Sequence, residues 1–355
     1  MERREFARQF QRFLNKYDRF VISGHMRPDG DSVGACATIA YYLESVGKEA
    51  VICFDGDASR YTNVLAPLKT IPTDMKVEQA GSLFESGTSF AFIMVDCWTP
   101  ERTGRCEPAL MKAEASLTID HHATCGAEST DFAYCEPDSS SASEVIYHLL
   151  KLCEMPITLD MATAMFMGLV FDTGGMRHSN TSAESYLMAA DLKTIGVDNT
   201  AMMNYLLYQK PINQMRAMAG AVRRSKMVGI PAADGRVVKV LFSLMGQLDF
   251  QRLGISPKDA DGVAGFLGEV EEADTICYLR EIEDDQVRVN MRSKEILDVA
   301  KTASCFGGGG HVRAAGCTFS GQSLQAAKKS LISAFERQLG AAEGSAYELS
   351  GDEER

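Results

Sequence analysis

Four apolar segments of this chain are each followed closely by aspartate or histidine, and this pattern constrains the fold more than any other feature. In the clearest case, residues 115–119 form a short apolar run that is typical of a buried strand. The run ends on Asp120, His121 and His122. A strand with that ending delivers carboxylate and imidazole groups to the carboxyl edge of a sheet, where open α/β folds bind their ligands.

The other three apolar segments, at residues 21–24, 90–95 and 165–171, lead into the same kinds of side chain: His25 with Asp29 and Asp31, then Asp96, then Asp172. Carboxylates together with imidazoles suit divalent metals such as Mn²⁺. No cysteine shares the pattern, so a zinc–thiolate site is not indicated. One pair of histidines could be hydrogen-bonded loop residues and nothing more, but four segments with the same ending favour a metal site.

These residues resemble the four motifs of the DHH phosphoesterases, in order and at familiar separations: His25-x-x-x-Asp29-x-Asp31, Asp96, Asp120-His121-His122 and Asp172. Farther along, the four glycines at 307–310, followed by His311, Arg313 and Gly316, resemble the signature of the DHH-associated substrate-binding domain. The resemblance covers nearly the whole chain except the C-terminal tail. It is nearest to the branch of nanoRNases and pAp phosphatases.

The resemblance implies a centre of two divalent cations, with Mn²⁺ as the expected metal. The implied ligand sets are His25, Asp29 and Asp96 for one cation and Asp31, His121 and Asp172 for the other, with Asp96 bridging the pair. Asp120 would orient a histidine by accepting its ring proton. His122 would face the scissile phosphate as a hydrogen-bond donor or acid.

Further residues are expected to bind the substrate. Arg177 and His178, just beyond Asp172, would lie near the same phosphate. In the second half of the chain, groups suited to a phosphate occur at Arg292, Ser293, Gly309, Gly310, His311 and Arg313. Four glycines are also compatible with a plain hinge, but with His311 and Arg313 attached we favour a substrate loop that holds a terminal phosphate or stacks on a base.

The order of predicted elements indicates an α/β protein of two domains. Strands at residues 19–24, 49–54, 90–95 and 115–119 alternate with helices, which predicts a mostly parallel sheet flanked by helices. The serine-rich residues 139–143 are interpreted as the start of a helix, because the apolar pattern resumes at once.

The predicted divisions are a DHH catalytic domain at residues 1–195, a helical linker at 196–227, a smaller C-terminal α/β substrate-binding domain across a cleft at 228–340, and an acidic disordered tail at 341–355. A hinge in the linker would let the two domains close on the substrate.

The composition narrows the class of partner. A formal net charge of −12 disfavours a long nucleic acid, which is held mainly through its phosphates, and favours small phosphorylated ligands. No stretch approaches the roughly 20 apolar residues of a membrane helix, and the first residues do not resemble a signal peptide. The ten cysteines include no Cys-x-x-Cys pair and are expected to be free thiols in a reducing cytoplasm. No membrane partner is expected, and a homodimer is compatible with the sequence.

Three functions are compatible with these features. The first is hydrolysis of short oligonucleotides to 5′-mononucleotides, extending to 3′-phosphoadenosine 5′-phosphate. The second is a phosphodiesterase of cyclic di-AMP or linear dinucleotides, which would use the same metals with a different substrate clamp. The third is a metal-dependent nucleotide-binding regulatory protein without activity. An incomplete ligand set would indicate the third, and here every expected ligand is present.

Overall fold

The computed structural model describes residues 2–123, 125–126, 130–283 and 285–349. It divides the chain into two compact units, Met1–Gln209 and Lys210–Arg355. Each unit has its own sheet and its own apolar core. In the described ranges, no helix combines the length and the apolar character that crossing a membrane requires.

The described residues of the first unit form five strands: β1 (Arg19–Ser23), β2 (Glu49–Cys53), β3 (Ala91–Val95), β4 (Ser116–Asp120) and β5 (Phe132–Cys135). Their order in the sheet is β2-β1-β3-β4-β5, and every neighbouring pair is parallel. The carboxyl ends of all five therefore lie along one edge. The predicted mostly parallel sheet is confirmed, and the sequence pattern missed only the four-residue β5.

Helices of the first unit are α1 (Arg3–Lys16), α2 (Gly30–Ser45), α3 (Ser59–Thr62), α4 (Glu107–Leu110), α5 (Ala142–Leu152), α6 (Leu159–Asp172), α7 (Ala183–Ile195) and α8 (Asn199–Met203). Helices α2 and α6 pack against each other closely. A Cβ on Gly34 of α2 would come within 2.4 Å of the Ala164 carbonyl oxygen of α6. Only glycine permits this approach, which brings together two helices that both carry candidate ligands.

In the described part of the second unit there are seven strands: β6 (Ser225–Pro231), β7 (Val237–Met245), β8 (Thr275–Glu283), β9 (Gln286–Ser293), β10 (Gly309–His311), β11 (Ala314–Ser320) and β12 (Tyr347–Glu348). Its helices are α9 (Ile212–Arg223), α10 (Gln247–Leu253), α11 (Val263–Leu267), α12 (Val299–Ser304) and α13 (Leu324–Gln338). The sheet order is β10-β11-β9-β8-β7-β6-β12, with β7 and β8 parallel and the other pairs antiparallel.

Both faces of this second sheet are covered. On β7, Val240 and Phe242 belong to one apolar cluster, whereas Leu241 belongs to another. This alternation is what a strand buried on two sides requires. The second unit is therefore an α/β domain, as the sequence predicts.

Two predicted segments are not separate parts of the structure. The predicted linker at 196–227 is divided between the cores, since Met202 and Leu206 pack in the first unit and Met218 packs in the second. The predicted disorder of the tail is wrong for residues 341–349. There β12 pairs with the edge of the sheet at β6, and the apolar side chain of Leu349 is buried. These two contacts order the segment. Residues 350–355 lie outside the described ranges.

Four of the ten cysteines form disulfides, which corrects the expectation of free thiols throughout. The pairs are Cys53–Cys106 and Cys125–Cys135, with Cα atoms 6.0 and 6.4 Å apart. The remaining six are free. Sequence spacing does not reveal these pairs. The fold brings Cys53, at the end of β2, beside Cys106, which is 53 positions farther along the chain.

Candidate metal centre

The strands of the first unit bring three of the predicted motifs to one edge of the sheet. His25 follows the last residue of β1 by two positions, Asp96 follows β3 directly, and Asp120 is the last residue of β4. The next two residues are His121 and His122. Since β1, β3 and β4 are adjacent and parallel, their endings lie side by side.

Two helix ends bring the remaining carboxylates to the same place. Asp29 caps the N-terminus of α2, where its Oδ1 accepts hydrogen bonds of 3.0 Å from the backbone N–H groups of Asp31 and Ser32. Asp172 is the last residue of α6. A Cβ on Gly30 would lie 2.7 Å from the Phe171 side chain, so the two helix ends are in direct contact.

The first group of candidate ligands is His25, Asp29 and Asp96, whose donor atoms lie within 4.8 Å of one another. The Nε2 atom of His25 is 3.4 Å from Asp29 Oδ2 and 3.3 Å from Asp96 Oδ2. The other ring nitrogen, Nδ1, lies 2.8 Å from the Met26 carbonyl oxygen. That contact leaves Nε2 as the nitrogen that faces the carboxylates.

The second group is Asp31, His121 and Asp172, which meets the same distance limit. The Nε2 atom of His121 is 3.2 Å from Asp172 Oδ2, 3.5 Å from Asp96 Oδ1 and 3.9 Å from Asp31 Oδ2. Asp96 thus presents one oxygen to each histidine, which is the geometry of a bridging carboxylate.

The donor atoms fit a pair of divalent cations. His121 Nε2 is buried and has no hydrogen-bond partner in the described part of the chain, although carboxylates surround it. A buried polar nitrogen is rarely left unpaired in a folded protein. A cation bound by carboxylate and imidazole donors would use this nitrogen and balance the clustered negative charge.

Asp96 has a left-handed backbone conformation. Its φ of 57° is uncommon for any residue except glycine, asparagine and aspartate. The backbone N–H still pairs with the Ile119 carbonyl oxygen at 2.9 Å, so the turn is fixed to β4. Such conformations cost on the order of 1–3 kcal/mol and cluster at functional sites.

Asp31 is completely buried and lies against the start of α5. Its Oδ2 accepts a hydrogen bond of 2.7 Å from the backbone N–H of Ala142, and its Oδ1 accepts one of 3.0 Å from that of Ser143. Burial and the nearby charges of Asp96 and Asp172 raise the pKa of Asp31 well above its ordinary value. A cation at this position would offset that unfavourable environment.

Asp120 contacts both His122 and the backbone of His121, and its donor atoms form a third cluster with those of Asp96, His121 and His122. Its Oδ1 lies 2.7 Å from His122 Nδ1 and also accepts a hydrogen bond of 2.7 Å from the backbone N–H of His121. The Asp120 carboxylate is buried, whereas His122 is partly exposed. The hydrogen bond to Asp120 raises the pKa of His122. This pair can therefore hold a proton at the edge of the centre.

The histidines of the two groups hold protons strongly when no cation is bound. Burial alone would lower the pKa of His25, but its contacts with Asp29 and Asp96 outweigh burial and raise the pKa to about 11. For His121, burial is outweighed in the same way by Asp172 and Asp96, and the pKa is again about 11. Burial would raise the pKa of Asp96, but the two histidines lower it to about 2.

Metal binding should therefore release protons and become tighter as the pH rises. Below pH 11 a cation must displace a proton from each of His25 and His121, so raising the pH toward 11 weakens that competition. We expect Mn²⁺ titrated into chelator-treated protein at neutral pH to release at least about two protons per pair of cations. Calorimetry in two buffers of different ionisation enthalpy measures this release, and heats independent of the buffer would contradict it.

Arg177 and His178 follow α6 and are both exposed. His178 Nδ1 lies 2.8 Å from the Asp172 carbonyl oxygen, so this ring is tied to the residue that carries a candidate ligand. Gly174, with φ of 57°, makes room for it, because a Cβ there would come within 2.4 Å of His178 Nε2. The structure thus brings His178 to the backbone of a candidate ligand, and Arg177 is its neighbour in sequence.

In the second unit, the predicted substrate residues gather at one end of the sheet. Arg292 and Ser293 end β9, and the Ser293 N–H donates to the Arg313 carbonyl oxygen at 3.0 Å. Gly309, Gly310 and His311 form the edge strand β10, which β11 separates from β9. A Cβ on Gly310 would lie 2.6 Å from Ala315 Cα, so this glycine is required.

The arginines of this cluster have no acidic partner among the described residues, since the ion pairs of the second unit use other cations. Burial lowers the pKa of Arg292. The Ser293 hydroxyl is buried without a partner in the same described part. An anion placed here would satisfy both groups.

Sequence reasoning missed the residues that support the second group of ligands. The Ser139 carbonyl oxygen lies 3.3 Å from His121 Nδ1, and Asn180 Nδ2 donates to the Ser140 carbonyl oxygen at 2.9 Å. These contacts join positions far apart in sequence, and neither Ser139 nor Asn180 belongs to a motif. The serine-rich run at 139–143 was the one feature of the sequence that could have indicated a supporting role for this segment.

Comparison with protein families and known proteins finds similarities that cover most of the chain. Residues 19–169 match the model of the DHH family, N-terminal domain, and residues 238–337 match the DHHA1 domain. The bifunctional oligoribonuclease and PAP phosphatase NrnA of Thermus thermophilus is 26% identical over 322 residues, which span 90% of this chain and 89% of that protein.

Two further similarities are informative. The cyclic-di-AMP phosphodiesterase GdpP of Geobacillus thermodenitrificans is 27% identical over 92% of this chain but only 49% of its own length. The crystal structure of an exopolyphosphatase-related protein from Bacteroides fragilis superposes with a TM-score of 0.77 at 20% identity, covering 94% of this chain and 97% of that one. The last similarity establishes the fold.

Proposed function

We propose that this chain, which belongs to the DHH family and carries a DHHA1 domain after its DHH domain, is a metal-dependent phosphoesterase that hydrolyses short oligonucleotides to 5′-mononucleotides and also acts on 3′-phosphoadenosine 5′-phosphate. The observation that carries the proposal is the position of Asp96, with one oxygen toward His25 and the other toward His121. The similarity to NrnA over nine-tenths of the chain supports the substrate class.

Two Mn²⁺ ions are the proposed cofactors, because carboxylate and imidazole donors suit this cation. His25, Asp29 and Asp96 would hold one, and Asp31, His121 and Asp172 would hold the other, with Asp96 shared. When bound, such a pair stabilises the charge on the attacking and leaving oxygens of a phosphoester.

His122 and Asp120 are proposed to handle the proton. Asp120 fixes the His122 ring through Nδ1 and stabilises its protonated form. The imidazolium can then donate a hydrogen bond to the phosphate or a proton to the leaving group. His178, tied to the Asp172 backbone, and the exposed Arg177 are proposed to contact the same phosphate.

The second unit is proposed to bind the rest of the substrate. Arg292 and Arg313, which have no acidic partner among the described residues, supply donors for a phosphate, as do the buried Ser293 hydroxyl and the glycine backbone of β10. The net charge of −12 disfavours a long nucleic acid and supports a short substrate.

Arg292→Ala should weaken substrate binding with little effect on the cations. A hydrogen bond to a charged group contributes about 1.5–3 kcal/mol, so we expect KM to rise about 10- to 100-fold. Steady-state kinetics with 3′-phosphoadenosine 5′-phosphate measures this change. The matched control is Arg236→Ala, which removes an exposed arginine paired with Asp234 in the same unit. An equal KM in both variants would contradict the role of Arg292.

The alternative function is cleavage of cyclic di-AMP or a linear dinucleotide, which the similarity to GdpP over 92% of the chain supports. Purified protein with Mn²⁺ should be given a labelled five-nucleotide RNA, 3′-phosphoadenosine 5′-phosphate, linear pApA and cyclic di-AMP. Faster release of mononucleotides from the RNA than turnover of cyclic di-AMP supports our proposal. The reverse order supports the alternative, and Mn²⁺ binding without any hydrolysis supports a regulatory protein.

We propose that the protein acts in the cytoplasm on these substrates. Cell fractionation with an antibody against the chain tests this location. The two disulfides are uncommon for that compartment, so thiol labelling of freshly extracted protein would also show whether these pairs form in the cell.

A further inference from the structure

Residues 139–143, which we call the serine segment, contact both kinds of ligand in the second group. The Ser139 carbonyl oxygen lies 3.3 Å from His121 Nδ1. At the other end of the segment, the backbone N–H groups of Ala142 and Ser143 donate to the two oxygens of Asp31. Its four serines, Ser139, Ser140, Ser141 and Ser143, are all buried, so solvent does not compete for these contacts.

These contacts determine how the ligands are presented. With Nδ1 directed at a carbonyl oxygen, His121 keeps Nε2 for the carboxylates of the centre. With both oxygens held by amides, Asp31 has one orientation. The partners of a ligand often control metal affinity as strongly as the ligand itself, because they fix its ring or carboxylate before the cation arrives.

The serine segment is also held by the buried carboxylate of Glu144. The Oε2 atom of Glu144 accepts hydrogen bonds from the backbone N–H of Ser140 at 3.2 Å, from the Ser140 hydroxyl, and from the Ser185 hydroxyl of α7 at 2.8 Å. Glu144 is 1% exposed, and His148 Nε2 lies 3.7 Å from its Oε1. Burial would raise the pKa of Glu144, but His148 and the serine donors outweigh it and lower the pKa, so the group is ionised at neutral pH.

We propose that Glu144 is a positioning residue for the cation bound by Asp31, His121 and Asp172, acting through the serine segment. The proposal rests on the two-cation centre of the proposed function. Among the described residues, Glu144 forms no hydrogen bond or ion pair with a candidate ligand of either group, and the serine segment through which it acts contacts only Asp31 and His121 of the second group. Its effect is therefore specific to one of the two cations.

The test is Glu144→Met, which keeps an unbranched side chain of similar length and removes the acceptor. Mn²⁺ alone is titrated into the chelator-treated full-length protein by calorimetry, and the bound ions are examined by electron paramagnetic resonance. We expect one cation to bind with unchanged affinity and the other about 10- to 100-fold more weakly. At a limiting Mn²⁺ concentration, the spectrum should change from that of a coupled pair to that of an isolated ion.

Two variants separate hydrogen bonding from packing. Glu144→Gln can place its amide oxygen where Oε2 lies, so it should recover part of the lost affinity. Asp191→Asn is the matched control, because Asp191 of α7 accepts hydrogen bonds from Tyr147 at 2.8 Å and Lys151 at 3.0 Å and so joins the same two helices without reaching the serine segment. The Asp191→Asn isotherm should match that of the parent.

The outcomes distinguish this inference from the proposed function. A parent protein that binds no pair of Mn²⁺ ions overturns the two-cation centre itself. A parent that binds two, with a folded Glu144→Met protein that binds both as tightly or loses both equally, overturns only the role of Glu144. If Glu144→Met does not fold, Ser185→Ala decides: a several-fold weakening of one cation supports the role, and an unchanged isotherm refutes it.

Discussion

Asp96→Asn should lower kcat by about 10³-fold or more while the protein remains folded. A pair of cations contributes several kcal/mol of transition-state stabilisation, and each 1.4 kcal/mol corresponds to about a factor of ten in rate. Among the described residues, Asp96 is the one carboxylate that faces both His25 and His121, so its loss affects both proposed cation sites.

Asparagine is the appropriate replacement because of the backbone. Asp96 has a φ of 57°, which asparagine tolerates better than alanine does, so the variant avoids added strain. The amide keeps the size of the side chain but loses the charge and one acceptor oxygen. Reduced activity would then report on metal bridging, and thermal unfolding in the presence of chelator would verify that the fold is intact.

Asp57→Asn is the control for this experiment. Asp57 is an exposed loop carboxylate of the same unit that accepts a hydrogen bond of 2.9 Å from the Ser59 backbone. It lies outside the clusters of candidate ligands in the described chain, and its loss should leave kcat unchanged. Undiminished hydrolysis by Asp96→Asn would contradict the bridging role directly.

The second large effect is expected for His122→Ala, which should lower kcat about 10²- to 10⁴-fold, the usual contribution of a positioned acid. Because His122 belongs to neither proposed ligand set, Mn²⁺ binding should stay close to that of the parent. Equal losses of metal affinity and kcat would show instead that His122 is a ligand. Calorimetry and steady-state kinetics on the same preparation distinguish these results.

Asp120→Asn gives an independent check through the pH profile. The hydrogen bond to Asp120 raises the pKa of His122, so removing its charge should lower that pKa. Activity that requires protonated His122 would then disappear at a lower pH than in the parent. A basic limb that stays in place would contradict an acid role for His122.

The gathering of the candidate ligands is largely predictable from sequence, because neighbouring parallel strands end along the same edge of a sheet. His25, Asp96 and His121 each follow a strand, and adjacent parallel strands bring their endings together whatever the loops do. The apolar runs that mark these strands are buried on both faces and therefore easy to recognise. Asp172 could be placed for a similar reason, since it ends a helix that is apolar almost throughout.

Features that depend on distant contacts could not be predicted in this way. The link between Glu144 and Ser185 joins positions 41 residues apart, and that between Asp31 and Ala142 joins positions 111 apart. The tail was expected to be disordered because it is acidic, yet Leu349 finds an apolar cluster beside β6. Composition indicates only how much apolar surface a segment can bury by itself. Here the edge strand β6 supplied the backbone hydrogen-bond partners that order the tail.

The most direct test of the two-cation centre is a crystal structure grown with Mn²⁺ and measured with anomalous scattering at the manganese edge. We predict two peaks about 3.5–4 Å apart, one beside His25 and Asp29 and the other beside His121 and Asp172, with the Asp96 carboxylate bound to both. A single peak, or two peaks that do not share Asp96, would contradict the account.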